Sequence, residues 1–368
     1  MEQVIRIGVD TSKSVFQVHG VDAAERPILR KKLRRRNFLA FFAKLPPTKV
    51  GLEACAGSHH WARELTAMGH EAVLLPPQYA KQYLMRGKND PADAEATCEA
   101  TGRPRLQGRF VPVKTAEQQA MQMLVGMRDR VVRNRTQVSN AIRGYAAEFG
   151  LVTAKGLAKI EPLLARIAGD ASVPKLAKEL FALHGAEYAQ LQARLQEIDA
   201  KLAAWHQGNE LSKRLMQVPG IGAIGAVRLA IKVTNPKAFR SGRDFAAWLG
   251  LTPKDHSTAG KQRLGVITRA GDESLRQNLV LGATALIQQI RKGRGEPSPW
   301  LIELLKRKPP KLAAVALANK TARIVWKLMV SGESYRPQAA SSRVVAAIGS
   351  VAPGSRRQGR CAPPSAVA

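Results

Sequence analysis

The sequence is short of cysteine, of acid and of long apolar runs, and each shortage narrows what the chain can be. Its three cysteines, Cys55, Cys98 and Cys361, have no regular spacing. They are too few for a disulfide framework and form no CxxC zinc pair, so a reducing cytoplasm is expected. No apolar run reaches the roughly 18 residues that a membrane helix needs. The opening MEQVIRIGVD turns polar too soon for a signal peptide, so no membrane partner is expected. Against 28 Asp plus Glu stand 58 Lys plus Arg, a net charge of +30. That excess points to a polyanionic partner. A merely solvated basic surface is the alternative, but the cations recur in every segment rather than in one tail. No Ser-His-Asp spacing is evident, and His59, His60 and His184 have no further ligands at metal spacing, which leaves them surface or packing roles.

A chain of 368 residues has room for two or three domains. VIRIGVD, VFQVHGVD and a third stretch around Pro27 to Leu33 read as three strands in an antiparallel meander. Strand TKVGLEA, a helix from His59 to Met68, strand EAVLLP and a short helix before Arg86 follow. The alternation is βαβ-like, so the expected sheet is mixed and covered by helices. After Pro112 the pattern turns helical, with Arg128, Arg130, Arg133, Arg135 and Arg143 set among apolar residues as if to touch nucleic acid or a partner helix. A second amphipathic helix from about Pro174 to Gln207 is suited to pairing, between subunits or as a hairpin within one chain. A third, mostly helical region opens at VPGIGAIGAVRLA and carries a Gly-rich basic loop from Pro253 to Gly265. The expected division is 1–115, 116–208, 209–336 and a disordered basic tail over 337–368.

Asp10 ends the first strand, in IGVDTSK, and Glu53 follows the apolar run VGL at the end of another. GKNDPADAEAT supplies Asp90 and Asp93, which share a face if that segment is helical. Carboxylates brought together repel unless a divalent cation neutralises them, and hard oxygen donors suit Mg²⁺ or Mn²⁺. Such a site can hold two metals for phosphodiester cleavage. Taken alone, Asp90 and Asp93 read better as a helix start, with Asp90 as N-cap and Pro91 at the first helical position, and Asp10 as a turn residue. The order of strand-end Asp, strand-end Glu and helical Asp pair favours the metal site.

The loop GLTPKDHSTAGKQRLGVITRAGDESLR joins Ser257 and Thr258 to small residues and to Lys261, Arg263 and Arg269. Glycine lets a backbone come close and the cations can hold a phosphate, so a serine here can attack phosphorus and carry a covalent phosphoserine. A Ser-Thr turn in a phosphate-contacting loop is the plainer alternative. His256 is a poor candidate for the base, because neighbours in an extended segment point apart. Pro-Gly-x-Gly in VPGIGAIGAVRLA resembles a helix-hairpin-helix turn whose Gly220 and Gly222 amides meet a phosphate, with Lys232, Lys237 and Arg240 nearby.

Together, IGVDTSK, GLEACAG, KNDPADAEA, VPGIGAIGAVRLA and the serine loop resemble the DEDD transposases of bacterial insertion-sequence family one hundred and ten, its eleven-eleven group in particular, over residues 4 to 335. The resemblance implies a RuvC-like RNase H domain, a coiled-coil connection and a C-terminal transposase domain. It implies that Asp10, Glu53, Asp90 and Asp93 are the four acidic metal ligands. The serine that links covalently to DNA falls on Ser257 counting back from TRAG, and on Thr258 counting forward from GLTP; Ser257 is taken. Also implied are DNA and a bridge RNA as partners, dimers pairing into a tetramer with the acids and serine from different subunits, and a bacterial cytoplasmic setting at the nucleoid. The expected activity is RNA-guided DNA recombination. A RuvC-like endonuclease using water and a noncatalytic basic nucleic-acid-binding protein are the alternatives.

Overall fold

The computed structural model describes residues 3–84, 89–107, 109–258, 260–294 and 297–336. The tail expected from 337 onward, Ala259 and Cys361 lie outside these.

The first part is the expected mixed sheet. Strands β1 (Arg6–Thr11), β2 (Val15–Val21), β3 (Pro27–Arg34), β4 (Lys49–Glu53) and β5 (Glu71–Leu75) are arranged 3-2-1-4-5. β1, β2 and β3 form the antiparallel meander, while β4 and β5 run parallel to β1. This is the RNase H-like arrangement. Strand alternation divides the side chains. Ile7, Val9, Val50 and Leu52 point to one face, where α1 (Phe38–Phe42) and α2 (Ser58–Ala67) cover them. There Phe16 meets Phe38 and Trp61 edge to face, with ring centroids 4.7 and 5.2 Å apart. Phe16, Phe38, Phe42 and Leu65 are wholly buried, each worth about 1.5–3 kcal/mol in apolar transfer.

The opposite face carries glycine where a side chain would be expected. After the short α3 (Pro77–Ala80), helix α4 (Asp90–Gly102) lies on β1 and β4 at Gly8 and Gly51. A Cβ on Gly8 would collide with the backbone of Ala94 and Cys98, and one on Gly51 with Thr101. The two glycines therefore let α4 sink onto the sheet.

Helices α5 (Ala116–Glu148), α6 (Ile160–Gly169) and α7 (Lys175–Gly208) make the second part. Thr115 and Gln118 start α5 with a reciprocal capping box. Tyr188, Leu191, Leu195, Ile198 and Leu202 of α7 recur at three-four spacing and pack with Val131, Val138 and Ile142 of α5. The pairing is thus a hairpin within one chain. Two of the arginines expected to face a partner are engaged internally: Arg128 bonds Asp199 at 2.6 Å and Arg143 bonds the Gly156 carbonyl at 2.7 Å. A second apolar stripe on α7, Leu176, Leu180 and Leu183, faces outward.

The third part holds α8 (Glu210–Met216), α9 (Ala223–Lys232), α10 (Gly242–Trp248), the two-stranded ribbon of β6 (Pro253–Asp255) and β7 (Leu264–Ile267), α11 (Glu273–Arg291), α12 (Pro299–Arg307) and α13 (Pro310–Ser331). α9 serves two cores: Ala226 and Leu229 join the C-terminal one, and Val227 and Ile231 join that of α5 and α7. Among the described residues no helix is long and apolar enough to cross a membrane.

Candidate active site

Asp10 lies one residue beyond the last β1–β4 pair, Val9 with Leu52, and Glu53 is its neighbour on β4. By alternation both share a face with Gly8 and Gly51, the face on which α4 rests. Along α4, Ala94, Thr97, Cys98 and Thr101 are buried toward the sheet. Stepping back one turn from Ala94 and Thr97 reaches Asp90 and Asp93, so the same helical face that packs on the glycines brings these acids to the strand ends. The result is a cluster: Asp10, Asp90 and Asp93 each offer a carboxylate oxygen within 4.8 Å of the others. Glu53 is half-buried beside them but outside that set.

The expectation that Asp90 caps α4 is corrected. Asn89 is the N-cap, its side chain accepting from the Ala92 amide at 2.9 Å, and Asp90 and Asp93 both fall in the first turn. Asn caps as well as Asp, and Pro is accommodated one place later than expected. The cap is made without Asp90. The helix N-terminus, equivalent to roughly half a positive charge, offsets part of the repulsion among three carboxylates. Three hard oxygen donors this close fit a divalent cation.

Ser257 stands at the start of the loop joining β6 to β7. Its amide donates to Asp255 Oδ1 at 2.9 Å, and its Oγ accepts from the Arg263 amide across the loop, also at 2.9 Å. The Ser257 hydroxyl, and then its amide, hold the Asp255 carboxyl below the usual carboxylate range. Asp255 is a neighbour that sequence reasoning missed, although the Asp-x-Ser spacing of an Asx turn was there to find it. Thr258 pairs with Lys261 in a bridge. The His256 ring crosses to Gly265. Lys261, Arg263 and Arg269 are exposed around the loop, and Arg269 has a left-handed φ of 57°. The ribbon is rooted by the buried Arg276, which donates to the Leu249 and Ala270 carbonyls at 3.1 and 2.8 Å. The bonds of Ser257 lie within its own ribbon, apart from the acidic cluster.

The helix-hairpin-helix residues separate. Gly220, at φ 87°, packs its backbone against Gly282 of α11, whereas Gly222 at the start of α9 faces open space. Lys232, expected to reach nucleic acid, instead bonds Asp272 and Ser274 at 2.7 and 2.6 Å, because Asp272 caps α11 immediately beside it. His184 stacks on Tyr145, and His59 accepts from the Lys114 amide at 3.2 Å, both in packing roles. Burial, then Lys114 and Arg63, push the His59 imidazole down to about 4.

Residues 7–149 match the DEDD family model described as "Transposase", and residues 212–296 match that of the "Transposase IS116/IS110/IS902 family". The chain is 65% identical to a Sinorhizobium fredii protein named as transposase y4pF/y4sB, over 91% of this chain and 87% of that one. It is 37% identical to the transposase for insertion sequence element IS1328 of Yersinia enterocolitica (91% and 99% covered) and 35% identical to that for IS1111A of Coxiella burnetii (91% and 92%). The chain belongs to the IS116/IS110/IS902 family and is a transposase of an insertion sequence.

Proposed function

We propose that this transposase cuts and rejoins DNA through a covalent serine intermediate, with Ser257 as nucleophile and Asp10, Glu53, Asp90 and Asp93 as a metal-holding acidic group. The observation that carries the reading is the convergence of Asp10, Asp90 and Asp93 within 4.8 Å at the strand ends. A divalent cation of the Mg²⁺ or Mn²⁺ class bound there supplies positive charge to a phosphate that is changing its bonds. Glu53, next to Asp10 on β4, completes the set. Ser257 is favoured over Thr258 because the Arg263 amide donates to its hydroxyl across the loop, while its own amide is held by Asp255. Its Oγ attacks phosphorus as its proton passes to the Asp255 side, the P–O bond to one DNA strand breaks and that oxygen takes a proton from solvent; a DNA hydroxyl then attacks the phosphoserine and expels the serine oxygen, which regains its proton. Lys261, Arg263, Arg269 and the open start of α9 at Gly222 hold phosphates.

Sections 1–115, 116–208 and 209–336 act as catalytic domain, helical connection and serine-bearing domain. Copies pair through the outward stripe of Leu176, Leu180 and Leu183, so that one subunit's serine meets another's acids. A bridge RNA directs the site choice; the net charge of +30 supports a second polyanion besides DNA. The setting is the bacterial nucleoid.

The test is trapping. The wild type, incubated with element-end DNA and Mg²⁺, is expected to give a protein–DNA adduct that survives denaturation. The adduct should persist in Thr258→Ala and vanish in Ser257→Ala. Unchanged cutting by Ser257→Ala would instead support hydrolysis by water.

A further inference from the structure

Beyond the acids and the serine, the fold encloses a cleft of 910 Å³ between the first and third parts. One wall descends from the chain after α4, with Arg105, Arg109, Phe110 and Lys114; the other comes from the segment between α9 and α10, with Phe239 and Arg240, and from the end of α10, with Trp248. Pockets for single compact ligands span about 300–1,000 Å³, so this one has room for a few nucleotide units and none for a double helix.

Three features describe its occupant. The first is charge. Arg105, Arg109 and Arg240 are exposed and Lys114 is half-buried. The acids of the cleft, Asp244 and Asp272, are both engaged: Asp244 accepts from the Arg240 amide, and Asp272 is bonded to Lys232. Burial, then Lys232, pull the Lys114 ammonium below its usual range against the opposing effect of Asp272, and its Nζ lies 3.3 Å from His59 Nε2. The second is a flat apolar surface. Trp248 is 39% exposed, unusual for so large a ring, and its inner side is braced by Phe245 at 5.8 Å, stacked, and Phe239 at 5.3 Å. The third is polar: the Gln122 side-chain oxygen, which is buried and lines the cleft, has no hydrogen-bond partner. Cations suit phosphates, a braced indole suits a base face, and an unused amide suits a base edge.

We propose that this cleft binds an unpaired stretch of a nucleic-acid strand, one base stacked on Trp248 and another edge read by Gln122, with phosphates held by Arg105, Arg109, Lys114 and Arg240. The inference requires neither Ser257 nor the acidic cluster. Such a site gives a transposase a place to keep a strand that is open while its partner is cut.

The test is a titration of the full chain, in chelator so that no cleavage occurs, with labelled single-stranded DNA, single-stranded RNA and blunt duplex of one short mixed sequence. Trp248→Ala is expected to weaken single-strand binding about five- to a hundredfold while duplex binding changes less than about twofold, and Trp248→Phe should restore most of the loss. Arg105→Gln with Arg109→Gln should lower the single-strand salt slope by about 1.4. Loss confined to DNA or to RNA supports the site and names the strand it takes. Equal loss for single strand and duplex, or no loss in either Trp248→Ala or the double arginine variant, overturns it. The arginine variants change exposed side chains only, so they decide the matter if Trp248→Ala fails to fold. The Ser257-dependent adduct, followed separately, reports on the proposed recombination chemistry whatever this titration shows.

Discussion

The acidic cluster and the serine ribbon are built in opposite ways. The acids grow from a strand end and a helix start that are both rooted in buried core, and two glycines determine how closely helix and sheet approach. Ser257 stands on a ribbon whose β6 residues are all exposed, as are three of the four in β7, held by turn bonds and by Arg276 at its base. Few buried contacts place such a ribbon at the low end of local stability. The contrast suits the roles proposed: ligands of a metal tolerate little slack, whereas a nucleophile that becomes joined to a DNA strand gains from an independent support.

The largest effect should come from the cluster itself. Asp10→Asn or Asp93→Asn is expected to lower DNA cutting roughly a thousandfold or more without changing the melting temperature by more than a few degrees. Cutting at the wild-type rate, measured on denaturing gels, would end the catalytic assignment of the acids. Next is the glycine floor. Gly8→Val pushes against the backbone of α4, so it should cost about 1–3 kcal/mol of stability and raise the Mg²⁺ concentration needed for half-maximal cutting. Gly260→Ala in the loop meets only open space and strains only its own backbone, φ 76°, so denaturant melts should register about 1–2 kcal/mol with no change in the Mg²⁺ requirement. If Gly260→Ala raises the Mg²⁺ requirement as much as Gly8→Val, the contrast in rigidity fails.

Asp255→Asn keeps an acceptor for the Ser257 amide and removes the charge. A roughly tenfold drop in adduct formation is expected, and no drop would reduce Asp255 to a turn residue. Arg269→Gly relieves a left-handed backbone by up to about 1 kcal/mol while removing a phosphate contact, so DNA affinity and its salt slope should fall, the slope by about 0.9, with melting unchanged or higher. An effect that is absent at neutral pH and appears only on acidification belongs to His59. Its folded value of about 4 lies below the ordinary 6.5, so the unfolded chain takes up the proton first. This contribution is complete above pH 6.5 and is lost as the pH falls toward 4. Melts across that window should flatten in His59→Gln.

Much of the first part was legible because local rules and the final fold agree. Period-two alternation located five strands, and Asp10, Asp90 and Asp93 stood at element ends where a carboxylate can emerge. Asn89 against Asp90 as cap was not decidable from local preference, since both residues cap well and Pro91 fits either register. Other features depend on residues far apart in sequence. The Asp272 that engages Lys232 is 40 positions away. Arg276 reads as a surface helix residue until the carbonyls of Leu249 and Ala270 are brought over it. Gln122, on a helix whose polar residues otherwise look solvated, acquires meaning only when the cleft closes around it.

The sharing of α9 between two cores has a consequence for anyone wishing to divide this protein. A cut at 208/209 falls at Asn209, the single residue between α7 and α8, but it would strip Val227 and Ile231 from the α5–α7 hairpin and leave them as an oily face on the other fragment. The halves should be insoluble apart and rescue each other when co-expressed. Chimaeras that exchange residues 209–336 with a relative should then fold only when α9 and its seat on α5 and α7 come from the same parent.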